Sequence, residues 1–200
     1  GTTDAHATDT WTAIYQVIAS ANIIIGKENA SISGDEAQKK QIIGQAYAIR
    51  ALAHFDLLKL YGQQHVTGGN NVGIPYVMEY KGTNLTPARN TVDEVKGFIY
   101  ADLTKALTLM SPALNPTSKQ FISTYAVEAI RARVAVYFGD WAIAKAACET
   151  VINSGLYQIV TAANFVASFD TDNLVNAIFE LAFSSTDNMN INGLSQIYRG

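Results

Sequence analysis

Residues 46–62 read AYAIRALAHFDLLKLYG, and residues 128–141 read EAIRARVAVYFGDW. Each carries Ala-Ile-Arg-Ala, then an aromatic, then a glycine. In the first stretch apolar residues fall nearly all round a helical wheel, which demands burial on several sides. In the second, the helix runs into Gly139-Asp140-Trp141 and a further helical segment, AIAKAACETVINSG. Small residues at Ala132, Ala135, Ala144 and Ala147 let two antiparallel helices approach closely. Tyr137 and Trp141 are expected to fill the wedge where they splay. Gly139 permits the left-handed cap that a tight helix-to-helix turn needs.

Residues 132–155 are therefore similar to one tetratricopeptide repeat. The stretch ending at Gly62 resembles the first helix of another, whose second helix is delayed by a long loop until Thr91. A repeat unit cannot bury its face alone, so such pairs must stack. The expected fold is all-α: stacked tetratricopeptide-like helix pairs with long loops and little β.

Working outward, Thr8 or Asp9 is expected to cap a first helix reaching about Gly26, with Trp11, Ile14, Tyr15, Ile18 and Ile25 at helical spacing. Asp35 caps a second helix ending at Tyr61, with Gly62 as its stop. Residues 62–90 hold too many glycines, prolines and asparagines for a long helix. They read as a long ordered loop, anchored by Ile74, Tyr76, Val77 and Met78. Asn90 or Thr91 caps the third helix, and Asp93 and Glu94 suit its dipole. Ser123 or Thr124 opens the fourth helix and Asp140 the fifth, which stops at Ser154-Gly155. AANFVASF (162–169) suggests a short helix. NAIFELAFS (176–184) suggests a strand, or an extended segment lying on the helices.

The chain has 200 residues, 48% hydrophobic and 16% charged, with a formal net charge of -3. This is enough for one domain with a sizeable core, or at most two small ones, and the composition argues against a largely disordered chain. No basic stripe exists, the tightest clusters being Arg131 with Arg133 and Lys39 with Lys40, so nucleic-acid binding is unsupported. No apolar run approaches the roughly 20 residues of a membrane span. The polar opening at Gly1 lacks a signal peptide and reads as a cut end, so the 200 residues are expected to be a piece of a longer chain. The single cysteine, Cys148, reads as a small buried hydrophobe.

No nucleophile elbow, phosphate loop or dinucleotide fingerprint occurs; a hydrolase using two placed carboxylates is a third reading, though nothing in the sequence singles two out. His54 and Asp56 are two apart and point to different helix faces, so Arg50 and His54 read as buried groups satisfied by their surroundings. His6, His54 and His65 lack metal-ligand spacing, and FDTDN (169–173) lacks the rest of a calcium loop. VTGGNNVG (66–73) follows a helix rather than a strand, against a phosphate cradle. The 62–80 loop is the best binding candidate. Asn and Gln amides match vicinal hydroxyls, and tyrosine offers a flat face to sugar C–H groups. Gln63, Gln64, Asn70, Asn71 and Tyr76 supply that mixture, which would equally suit an ordinary polar loop.

In order along the chain, the motifs resemble the N-terminal part of the SusD/RagB family. An early tryptophan helix, WTAIYQVIASANIII, precedes A-x-x-x-R-A-x-x-x-F-D-L-x-x-x-Y-G, here Ala46, Arg50, Ala51, Phe55, Asp56, Leu57, Tyr61 and Gly62. Gly73-Ile74-Pro75 follows, then R-x-T-V-x-E-V-x-x-x-I-x-x-D-L-x-x-A from Arg89 to Ala106. The Gly-Asp-Trp repeat, the Val151–Gln158 element and a late NAIFEL, with Asn176 in place of an acid, complete the set. The resemblance implies an outer-membrane lipoprotein, lipid-anchored on the extracellular face. It would bind an oligosaccharide or a peptide and deliver it to a SusC-like TonB-dependent transporter, without catalysis or cofactor. It also implies that the loop after LYG contributes to the ligand site, here through His65, Asn70, Asn71 and Tyr76. The alternative is a tetratricopeptide-like scaffold for a peptide or protein partner.

Overall fold

The computed structural model describes residues 5–82, 86–170 and 174–182. Among these lie five α-helices: α1 (Ala5–Ile25), α2 (Glu36–Tyr61), α3 (Val92–Leu109), α4 (Thr124–Phe138) and α5 (Trp141–Asn153). Short 3₁₀ turns punctuate the connections, and the described residues form no strand, only an isolated antiparallel bridge between Val72 and Thr91. The expected all-α architecture of packed helix pairs is what forms.

Helix α2 is the centre. It packs against α1 on one side and α3 on the other. Its fully buried Ala48, Ala51, Phe55, Leu57 and Leu58 face in more than one direction, as its apolar wheel demands. Gly44 sets the α2–α3 crossing distance: a Cβ there would lie 2.4 Å from Met110 Cγ and 3.0 Å from the Ala106 carbonyl. Helices α4 and α5 form the tetratricopeptide-like hairpin, docked on α3 through α4. Gly139 caps α4 at φ 74°, a left-handed conformation that favours glycine.

The helix starts follow local chemistry. Asp35 accepts the Ala37 and Gln38 amides, and Ser123 accepts that of Ala126. Thr91 and Glu94 form a reciprocal capping box. Three details differ from expectation. Helix α1 is already helical at Ala5, so Asp9 lies inside it. Asp140 does not cap α5 with its carboxylate, which takes Lys96 Nζ at 2.9 Å and the Tyr100 hydroxyl at 2.7 Å instead. AANFVASF forms two 3₁₀ turns, Ala162–Asn164 and Ala167–Asp170, not one helix.

Two side chains expected inside lie outside. Cys148 is exposed because the buried stripe of α5 runs through Ala144, Ala147 and Val151, one position away. Trp141 is 68% exposed, and Tyr137 packs away from α5, edge-on to Phe55 of α2 at 5.3 Å, so neither is seen to fill the α4–α5 wedge. The described part of NAIFELAFS (176–182) is no strand but a run of turn and bend, with the Ala177 amide donating to the Leu174 carbonyl. Ile178 and Phe179 pack on the core, and the Glu180 amide donates to the Lys119 carbonyl. Residues 171–173 of FDTDN and 183–184 of NAIFELAFS lie outside the described residues.

Candidate functional site

The α2–α3 connection does two jobs in sequence. Its first part, 62–73, crosses the end of the molecule where α2 stops and α3 begins. The Gln63 amide donates to the Val72 carbonyl, and Val72 N–H donates to Gln63 Oε1. Asn71 Nδ2 donates to the Gln64 carbonyl at 2.7 Å, and its own carbonyl receives the Val92 amide. Gly69 lies so close to Asp93 that a Cβ there would meet the carboxylate oxygen at 1.7 Å. His65 packs its ring on Tyr137 at 4.7 Å and Phe138 at 5.3 Å, tying the loop to the end of α4.

The second part, from Ile74 to Met78, is a strap laid over α1, α2 and α3. Arg50, only 4% exposed, is its main anchor. The guanidinium makes a bidentate pair with Asp102 of α3, with Nε and Nη2 each at 2.7 Å from a carboxylate oxygen. Its Nη1 donates to Asn22 Oδ1 of α1 at 2.8 Å and to the Met78 carbonyl at 2.7 Å. Asn22 Nδ2 in turn donates to the Val77 carbonyl at 3.0 Å. One cation thus joins three helices and the strap. Burial opposes its charge, but the Asp102 pair outweighs burial and holds the guanidinium above its ordinary pKa.

His54 completes the lacing. The Val77 amide donates to Nε2 at 3.0 Å, so the proton sits on Nδ1, which donates to the Arg50 carbonyl at 2.9 Å. Burial dominates, and the imidazole pKa drops to about 3. The reading of Arg50 and His54 as satisfied core groups therefore holds, and Asp56 pairs with Lys59 on the surface instead. Tyr15 donates its hydroxyl to the Pro75 carbonyl at 2.7 Å, and the Tyr76 amide donates to Asn90 Oδ1 at 2.9 Å.

The four sequence-chosen loop residues part company here. His65, Asn70 and Asn71 stand on the end loop, with His65 and Asn71 half-buried and Asn70 exposed. Tyr76 is 8% exposed: its ring stacks on His54 at 3.8 Å and its hydroxyl donates to Asp102 at 2.7 Å. Tyr76 also lines a cavity with Val77, Met78, Glu79 and Pro87.

A groove that sequence reasoning missed lies between the strap and α1. It has a volume of about 640 Å³ and is walled by Trp11, Tyr15 and Gln16 of α1 and by Pro75, Glu79 and Tyr80 of the connection. Trp11 and Tyr15 read as core positions because their spacing is helical. The overlooked signal was their polar company, Thr12 and Gln16, which marks the edge of a buried stripe rather than its middle. Among the described residues no cluster of His, Cys, Asp or Glu is suited to a metal, and no helix is long and apolar enough to cross a membrane.

Residues 2–136 match the SusD-like family described as starch-binding and associating with the outer membrane. The SusD-like protein P38 of Formosa agariphila is 27% identical over 157 residues, covering 76% of this chain and 27% of that protein. A SusD superfamily crystal structure from Bacteroides thetaiotaomicron aligns over 88% of this chain and 39% of its own, at 25% identity and a TM-score of 0.81. A laminarin-binding SusD-like protein shares the fold at 20% identity and a TM-score of 0.64, over 82% of this chain and 35% of its own. The chain thus spans well under half the length of these relatives. Fold, motif order and the match across residues 2–136 agree, and the chain belongs to the SusD-like family.

Proposed function

We propose that the chain is the helical part of a glycan-binding protein that captures oligosaccharide without transforming it. The observation that carries this reading is the family match over residues 2–136, in a chain whose α2–α3 connection is built as a fixed presentation loop. In this reading His65, Asn70 and Asn71 contribute to the glycan site at the end of the molecule, and Tyr76 holds the connection in place. The bound glycan passes to a SusC-like TonB-dependent transporter, with the longer protein lipid-anchored on the extracellular face of the outer membrane.

Isothermal titration with laminari- and malto-oligosaccharides tests this. Binding that weakens in Asn70→Ala places the contact on the end loop. Asn71→Ala is the weaker probe, because Asn71 also holds the loop through Gln64. A peptide or protein partner is the second reading, favoured by the exposed Val136, Trp141 and Ile152 of the α4–α5 pair. It predicts transporter or peptide capture with no heat from any glycan.

A further inference from the structure

We propose that the groove between α1 and the strap is a second carbohydrate site. It would take a neutral pyranose against Trp11 and Tyr80 and hold the ring hydroxyls with Gln16 and Glu79. The proposal rests on the glycan-binding reading for the class of ligand, though not for the location.

Three observations carry it. At about 640 Å³ the groove falls within the range of small-ligand sites, which is roughly 300–1,000 Å³. Its walls are aromatic and its rim is polar, the pairing that suits a ring with apolar C–H faces and an equatorial belt of hydroxyls. Tyr80 is 53% exposed, and Gln16 and Thr12 are exposed on the α1 side. Glu79 is the one charged side chain among the described lining residues; its Oε2 pairs with Lys81 Nζ at 3.2 Å on the surface, and its Oε1 can accept a sugar hydroxyl.

The backbone of the strap argues against a peptide. An extended peptide would bind by adding to free backbone groups. Five of the strap's are already used: Pro75 O by Tyr15, Val77 O by Asn22, Met78 O by Arg50, Tyr76 N by Asn90 and Val77 N by His54. What remains in the groove is side-chain chemistry, aromatic faces with an amide and a carboxylate.

The test uses the two tryptophans of the chain. Trp141→Phe leaves Trp11, inside the groove, as the only indole. This protein is titrated with laminarihexaose and with maltohexaose, following indole emission and, in parallel, heat. The expected result is a saturable emission change with at least one of them, its midpoint weakened about tenfold by Tyr80→Ala and by Glu79→Gln, and unmoved by Asn70→Ala. Both groove substitutions are at exposed side chains, and an unchanged thermal midpoint checks that they fold. Heat of binding with constant Trp11 emission, and no response to either groove variant, overturns the second site while leaving the glycan reading intact. Absence of heat with both sugars overturns both.

Discussion

Arg50 and Asp102 hold each other across 52 positions of chain, both almost fully buried. Removing either leaves the other charged and dry. Arg50→Met is therefore expected to destabilise the fold by about 3–5 kcal/mol, read from the denaturant midpoint. Tyr76→Phe removes one hydrogen bond to the same carboxylate and is expected to cost about 1.5–3 kcal/mol. His54 adds a pH dependence. Its pKa is lowered from 6.5 to about 3 by burial, so below pH 6.5 the unfolded chain binds a proton that the folded chain refuses. Stability contributed by neutral His54 is then complete above pH 6.5 and lost as pH falls toward 3, with a slope approaching about 1.4 kcal/mol per pH unit. Subtracting the stability–pH curve of His54→Gln from that of the parent should isolate this slope, and parallel curves would refute it. The sequence already marked Arg50 and His54 as satisfied core groups, because charged side chains in an all-round apolar helix must find partners. It could not name Asp102, because no local rule selects a partner on another helix. The same gap hid the hydrogen bond from the Tyr76 hydroxyl to Asp102.

Element boundaries were legible where a cap decides them and illegible where packing does. Asp35, Thr91, Ser123 and Gly139 act within a few residues of themselves, and each stands where its chemistry suggested. Thr91→Ala is expected to cost about 1 kcal/mol through the lost capping box. Gly139→Ala should cost about 1–2 kcal/mol because its backbone is left-handed at φ 74°. Thermal midpoints of the two variants give both values. The start of α1 escaped local reading because Tyr61 of α2 donates its hydroxyl to the Ala7 carbonyl, fixing the first turn from outside. Cys148 was misplaced by a single step round the wheel of α5, where Ala144 and Ala147 rather than the larger neighbour face inward.

At the scale of the molecule the helices are unequally held. Helix α2 buries twelve residues between two neighbours, whereas α5 buries only Ala144, Ala147 and Val151 against α4. Amide exchange in α5 is therefore expected to proceed through openings of lower free energy than in α2. Equal protection in both would show that α5 gains support absent from this packing. The all-α class and the repeat-like hairpin were visible in composition and in the spacing of small residues. The groove was not, because it arises where a connection folds back over a helix 55 to 60 positions earlier.

That fold-back has a consequence for how such a protein can diversify. The connection is fastened at Met78 by Arg50 and at Asn90 through its bonds with Ile74 and Tyr76. Between these two fastenings Arg89 is tied to the end of α2 through the Tyr61 carbonyl at 2.7 Å, while Glu79, Tyr80 and Lys81 are exposed. Since doubling a loop costs only about 0.6 kcal/mol in closure entropy, this interval can be lengthened, shortened or rewritten while the helices stay as they are. It is an interchangeable tip on a constant handle, and a swap of residues 79–88 between relatives that keeps Arg89 should carry ligand preference without carrying instability.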